Sequence, residues 1–277
     1  MSTLNTDPKA PPVFLTGNML TRHADRESDL TVSSGVALRH RLYDMDPASL
    51  WAGENDDDGV NEAVIFGLWL PGMQSSQDLD FLAVLNHNLA TFDWDLSDDN
   101  GSSYPGANQQ VITGQTASDH IRSLSAVIAA DKVQMTMHTT QTADAFKQVG
   151  GLVVARALLQ APIGMSLFRK HPARVQDRSA KMHDNSTRRS YVYRSDASLK
   201  FQDFSVGFKG LSEDEADEME AVLLGPDPII FYPEPGDRPG KMYQGQVVPG
   251  TFDRNYCTLS RSGGEMITFD FEETGGA

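Results

Sequence analysis

The sequence is poor in cysteine and has no long apolar run. Cys257 is the one cysteine among 277 residues, which excludes an intramolecular disulfide framework and a zinc site built from several cysteines. No stretch approaches the roughly 18 uninterrupted apolar residues of a membrane-spanning helix. The first residues lack the basic start and apolar centre of a secretory signal peptide. We therefore expect a protein that is synthesised in the cytoplasm and does not insert into a membrane.

Basic residues are also scarce. The chain has 23 Lys and Arg against 38 Asp and Glu, which gives a formal charge of −15. Because such a chain repels phosphate groups, we expect neither a nucleic-acid partner nor docking on anionic lipid. The bases concentrate in residues 169–189, which we call the basic segment. We predict that it is a linker or long hairpin that contacts an acidic surface of a neighbouring copy, with a solvated hairpin as the alternative.

Motifs of catalysis and of phosphate or metal binding are absent from the sequence. It contains no P-loop, no dinucleotide fingerprint, no nucleophile elbow and no zinc-protease motif. Residues 54–59 resemble the start of a calcium-binding EF-hand loop, but Ile65 stands where a glutamate must close it. A solvated turn is therefore favoured there. We expect no enzymatic activity, no cofactor and no metal ion.

Short apolar and β-branched runs separated by turns dominate the chain, and they predict a mainly β protein. Residues 1–14 are polar and proline-rich and are predicted to form an extended N-terminal arm. The segments 121–130 and 151–159 fit either a strand or a helix. Residues 190–277 contain strand-like runs around one clear helix, which predicts a small α+β domain.

The helix in this C-terminal part has recognisable ends. Ser212 and Glu215 have the spacing of a capping box, and acidic residues fill the first turn. Gly225 and Pro226 are expected to stop the helix.

Four residues form a candidate glycan site. Asn86, His87 and Asn88 follow a predicted strand, and Trp94 precedes the polar loop 97–106. Amide and imidazole groups can orient sugar hydroxyls, and an exposed indole ring can stack on a sugar. The alternatives are a hydrogen-bonded turn for the triplet and burial in the core for Trp94.

The order of several segments resembles a module of tailed-bacteriophage virion proteins. The segments are residues 30–34, 64–70 and 80–88. That module is similar to discoidin and galactose-binding-like sandwiches, which implies a jelly-roll-like β-sandwich over residues 15–168. The C-terminal third, with residues 204–208 and 229–232 around the helix, resembles the strand–helix–strand part of phage distal-tail and baseplate proteins.

This resemblance implies a non-enzymatic structural component of a phage tail tip or baseplate. Its partners would be further copies in a ring-like homo-oligomer and other tail proteins such as the tail tube and hub. Its location would be the virion tail, after synthesis in the bacterial cytoplasm. The alternative function is a carbohydrate-binding module that aids adsorption to glycans of the host surface. The predicted interface residues lie in the arm and in the basic segment: Pro11, Pro12, Phe14, Arg169, Lys170, Arg174, Arg178, Arg188 and Arg189.

Overall fold

The computed structural model describes residues 11–20, 30–43, 49–68, 76–162, 166–170, 175–177, 180–181, 187–188, 191–193, 203–233, 235, 242–257 and 264–273. Strands dominate these residues. In chain order they are β1 (Val13–Thr16), β2 (Leu30–Val32), β3 (Trp51–Ala52), β4 (Glu62–Gly67), β5 (Gln77–Leu85), β6 (Leu89–Ser97), β7 (Gln110–Ile112), β8 (His120–Ala130), β9 (Lys132–Thr140), β10 (Gln148–Val149), β11 (Gly151–Ala155), β12 (Ala157–Gln160), β13 (Ser166–Lys170), β14 (Val175–Asp177), β15 (Ala180–Lys181), β16 (Thr187–Arg188), β17 (Tyr191–Tyr193), β18 (Asp203–Leu211), β19 (Ile229–Tyr232), β20 (Tyr243–Val247), β21 (Asp253–Cys257) and β22 (Gly264–Glu273). The helix α1 spans Glu213–Leu223, and two 3₁₀ segments span Val36–Leu42 and Gly106–Asn108.

Two antiparallel sheets form a β-sandwich. One has the strand order β2-β4-β9-β6-β7, and the other has the order β11-β5-β8. Apolar side chains of both sheets meet in one core, which includes Phe92 and Trp94 of β6 and Leu152 of β11. The prediction of a mainly β fold with a sandwich is confirmed. The two segments that fitted either a strand or a helix are strands, namely β8 and the pair β11 and β12.

The three-stranded sheet is covered on both faces. On β5, Leu82 and Val84 face the sandwich core, whereas Phe81 and Ala83 belong to a second core. This second core also contains side chains of β1 and β19, among them Tyr232. A strand buried on both faces is a continuous apolar run, which explains the lack of polar alternation in the second half of β5.

A third sheet is curled. Its strand order is β12-β1-β19-β20-β22-β18-β13, with β21 also paired to β22. The end strands would lie about 29 Å apart in a flat sheet, but the chain from Gln160 to Ser166 can span only about 21 Å. The rings of Phe14 on β1 and Phe208 on β18 also lie 6.2 Å apart across the sheet. The sheet therefore wraps around a third core.

Helix α1 packs on this third core through Ala216, Met219 and Leu223. Its N-terminus has the predicted capping box. The Glu215 amide donates to the Ser212 hydroxyl, and the Ser212 amide donates to the Glu215 carboxylate at 2.8 Å. In the described part of the chain, no helix is long and apolar enough to cross a membrane.

The last residues of the predicted arm belong to the core. Strand β1 pairs with β12 on one side and with β19 on the other. Phe14 is fully buried and stacks on Phe231 at a centroid distance of 5.4 Å. Val13 and Phe14 are thus part of a sheet rather than an extended arm. Because this pairing joins residues about 140 and 215 positions apart, local sequence patterns do not reveal it.

The basic segment lies within nested strand pairs. Strand β13 pairs with β18, β14 pairs with β17, and β15 pairs with β16. The last two pairs share one register, in which the backbone of Val175 pairs with that of Tyr193 and the backbone of Lys181 pairs with that of Thr187. We call the four paired strands β14, β15, β16 and β17 the basic hairpin.

Candidate functional site

The outward face of the five-stranded sheet carries a group of polar side chains. Along β6 and β9 every second side chain enters the core, so the intervening ones point away from it. These outward side chains, together with the neighbouring Asn61, are partly exposed. We call them the outer sheet face: Asn61, Asp93, Asp95, Gln134, Thr136 and His138.

Hydrogen bonds hold these side chains in place. The His138 ring lies between two oxygens, with Nε2 2.7 Å from Asp93 Oδ2 and Nδ1 3.0 Å from Asn61 Oδ1. The Gln134 amide donates to the Thr136 hydroxyl at 3.1 Å. Because both strands are central in their sheet, the polar groups sit on a rigid support.

Two carboxylates dominate the electrostatics of the outer sheet face. Burial raises the pKa of Asp95, the charge of Asp93 raises it further, and a hydrogen bond from Gln109 opposes the shift. Within the described residues, Asp93 Oδ1 is buried and has no hydrogen-bond partner. Asp95, which is partly exposed, is the carboxylate that can accept a hydrogen bond from an incoming hydroxyl or amine.

An apolar side chain borders the carboxylates. Val111 on β7 stands directly opposite Asp93 in the register and is 55% exposed. The half-buried Tyr104 lies near Asp95, whose charge contributes to the raised pKa of the phenol, although burial is the larger cause. The outer sheet face thus combines charged acceptors, amides and hydroxyls with an exposed apolar contact. Among the described residues, no group of three or more His, Cys, Asp or Glu is arranged to hold a metal ion.

The predicted glycan residues do not form an exposed site. Trp94 is fully buried, so the prediction that it stacks on a sugar is wrong. It occupies an inward position of β6, between the outward Asp93 and Asp95. This alternation was visible in the sequence, where polar residues flank the indole on both sides.

The triplet Asn86, His87 and Asn88 forms a hydrogen-bonded turn. The Asn88 side chain binds the backbone of this chain at both ends of its amide group. Its oxygen accepts from the Gln148 amide at 2.9 Å, and its nitrogen donates to the Phe146 carbonyl at 2.8 Å. Asn86 is exposed and has a φ of 46°, a left-handed conformation that asparagine tolerates. The structural interpretation of the triplet therefore fits better than a glycan site.

His87 is buried beneath this turn. It is 4% exposed, and its Nδ1 accepts the Leu89 amide proton at 3.0 Å. Burial, followed by the neighbouring His120, lowers the pKa of His87 to about 4. Both imidazoles pack edge-on against the Phe92 ring at 5.4 Å.

A buried lysine from another part of the chain binds the backbone of the acidic loop at residues 54–59. Lys147 is fully buried, and its Nζ donates to the carbonyls of Asp57 at 3.3 Å and Val60 at 3.1 Å. The Asp58 carboxylate accepts from the amide and hydroxyl of Thr140. Oxygens of this loop and of the adjacent Val60 therefore accept hydrogen bonds from a lysine ammonium and from Thr140.

The predicted interface residues fall into three groups. Phe14 lies in the core, so the prediction that it contacts a neighbouring subunit is wrong. Pro11 and Pro12 border β12 and accept hydrogen bonds through their carbonyls, Pro12 from the Ala161 amide at 2.9 Å. Of the bases, Arg169 and Lys170 lie on β13 and Arg188 lies on β16, while three lie outside the described residues: Arg174, Arg178 and Arg189.

Comparisons with known proteins find no sequence match and only solved structures of low similarity. No family model and no curated protein matches the sequence. Among solved structures, chitosan-binding module 1 of a chitosanase/glucanase from Paenibacillus sp. IK-5 is 18% identical with a TM-score of 0.37, covering 45% of this chain and 92% of that one. A Clostridium perfringens module described as CpGH89CBM32-6 is 14% identical with a TM-score of 0.39, covering 50% and 98%.

A pectin-binding carbohydrate-binding module is 13% identical with a TM-score of 0.34, covering 45% of this chain and 87% of that one. At these identities and TM-scores, the likenesses carry no argument about the function of this chain.

Proposed function

We propose that the chain is a non-catalytic binding protein whose sandwich recognises carbohydrate on the outer sheet face. The observation that carries this proposal is the set of fixed, partly exposed acceptors and donors around Asp93, Asp95 and His138, next to the exposed Val111. Sugar rings present the same mixture, with hydroxyl groups around the rim and apolar C–H groups on the faces. Carboxylate acceptors form short, strong hydrogen bonds with hydroxyl donors.

The charge of the outer sheet face specifies the class of sugar. Two neighbouring carboxylates repel uronic acids, sialic acids and sulfated glycans. They favour neutral sugars and amino sugars, whose hydroxyl and ammonium groups both donate hydrogen bonds. We therefore expect neutral or amino-sugar oligosaccharides as ligands.

A glycan array probed with the full chain tests this proposal, followed by calorimetry with the best ligand. We expect Asp95→Asn and His138→Ala each to weaken binding by about tenfold or more, because each removes a hydrogen-bonding group of the site. Asp98→Asn is the matched control, since it removes one carboxylate from an exposed position beyond the end of β6. No binding of neutral or amino sugars, or equal losses in all three variants, would contradict the proposal.

A second candidate function is a structural component of a phage tail tip, located in the virion. The resemblance of residues 30–34, 64–70, 80–88 and of the C-terminal third supports it. The curled third sheet, which draws strands from both ends of the chain, would give a rigid body for assembly, and the outer sheet face would then serve adsorption. Mass spectrometry of purified virions from the producing phage, or immunogold labelling of their tails, tests this function. Absence of the chain from the particles would exclude it.

A further inference from the structure

A groove lies between the sandwich, the third sheet and helix α1. It has a volume of about 270 Å³ and is bounded by residues 123–127 of β8, by β12 and by Glu218 of the helix. This volume is below the range of about 300–1,000 Å³ for pockets that hold whole small ligands. It suits one or two side chains of a protein partner.

The groove originates in an irregular strand pairing. Leu79 of β5 pairs with Ile128, but Phe81 pairs with Ser123, so four residues of β8 stand opposite Asp80 alone. Such a bulge lifts the strand away from its partner and leaves its backbone unpaired on that side. Val127, in the bulge, is 38% exposed.

The other wall is the end of a sheet. Strand β12 is the last strand of the third sheet among the described residues. Asp80 connects the two walls, because its Oδ1 accepts the Ala157 amide proton at 2.6 Å.

The groove is acidic. Its floor is the carboxylate of Asp80, which is only 6% exposed and whose pKa is raised by burial. Glu218 stands on the helix wall, and helix α1 contains six acids and no base over residues 213–223. On the rim, Arg156 is paired with Asp78 at 3.3 Å. A partly desolvated carboxylate gains most from a cation that enters with its own apolar stem, as lysine and arginine do.

The chain itself carries a segment of the complementary kind. Residues 169–189 contain seven bases and two acids, and the strands around them pair as a hairpin. From Lys170, where β13 leaves the third sheet, to Lys181 near the tip is eleven residues, an extended span of at most about 36 Å. A segment of this length is long enough to contact a second copy of the chain.

We propose that the groove is a docking site for the basic hairpin of a second copy of this chain, with a lysine or arginine directed at Asp80 and Glu218. The contact joins different surfaces of the two copies, so it is heterologous and can extend head to tail.

Binding of a labelled synthetic peptide of residues 169–193 to the full chain tests this proposal. We expect micromolar binding at low salt, lost when the seven bases of the peptide are replaced by glutamine. Glu218→Lys and Val127→Asp should each weaken binding by at least about tenfold. Glu213→Lys, the same charge reversal on an exposed part of the helix away from the groove, should change binding by less than about twofold.

Native mass measurements give an independent readout. We expect concentration-dependent species heavier than the 30.3 kDa chain, with a shift toward the single chain in Glu218→Lys. Failure of the peptide to bind, or equal weakening by Glu218→Lys and Glu213→Lys, would overturn the proposal. Undiminished self-association in both groove variants would place any contact between copies elsewhere.

Discussion

Acidification should destabilise the fold through His87. The imidazole is 4% exposed and accepts a backbone proton from Leu89 through Nδ1. Protonation at Nδ1 would remove this acceptor and set two N–H groups against each other. Burial, followed by the charge of the neighbouring His120, lowers the pKa of His87 from 6.5 to about 4.

The sign and size of the effect follow from proton linkage. Between pH 6.5 and 4 the unfolded chain carries a proton on this imidazole and the folded chain does not, so the free energy of unfolding falls as the pH falls. At about 1.4 kcal/mol per pH unit, the gap of about 2.5 units amounts to about 3 kcal/mol lost by pH 4. Above pH 6.5 both states are neutral at this position, and His87 contributes no pH dependence.

Urea denaturation of the wild type and of His87→Gln across this range measures the effect. Glutamine keeps an acceptor oxygen near the Leu89 amide but does not titrate. We expect the difference in unfolding free energy between the two proteins to change by about 3 kcal/mol between pH 7 and pH 4, to the disadvantage of the wild type at low pH. His40→Gln controls for loss of an exposed imidazole. Parallel curves for the wild type and His87→Gln would refute the reasoning.

Three further substitutions have defined expectations. Lys147→Met should lower the free energy of unfolding, measured in urea, by about 2–4 kcal/mol, because the carbonyls of Asp57 and Val60 lose the buried ammonium that donates to them. Lys209→Met, at an exposed site, is the control, and equal losses in both variants would argue against a structural role for the Lys147 ammonium. Ser212→Ala removes the helix cap and should lower the free energy of unfolding in urea by about 1 kcal/mol. An unchanged free energy of unfolding would show that the capping box is dispensable. Arg254→Ala should lower the melting temperature, since the guanidinium binds Asp217 at 2.6 Å and Glu220 at 3.0 Å on the helix. The difference in melting temperature between the wild type and Arg254→Ala should become smaller in high salt. A difference that does not depend on salt would indicate lost packing instead.

Local features of the fold could be predicted from the sequence. The capping box needs only residues three positions apart, and the alternation of β9 shows directly which side chains face outward. The place of Phe14 could not be predicted, because it depends on pairing with strands far along the chain. The same holds for the two covered faces of β5, whose apolar run is compatible with either a buried strand or a buried helix.

Part of the candidate site could be predicted from the sequence. Side chains alternate between the two faces of a strand, so the residues around Trp94 predict an indole inside and both flanking aspartates outside. The position of His138 between Asn61 and Asp93 could not be predicted, since it depends on the register of three strands. The groove at Asp80 arises from a bulge, and bulges leave no reliable trace in a single sequence.

The most direct test of carbohydrate recognition is chemical-shift mapping on the isotope-labelled full chain with a neutral or amino-sugar oligosaccharide. Saturable shifts should cluster at the amides of β6 and β9 around Asp93, Asp95 and Thr136. The turn at Asn86 and the groove at Asp80 should remain unaffected. Absence of any saturable shift, or shifts confined to that turn or to the groove, would contradict the assignment of the outer sheet face.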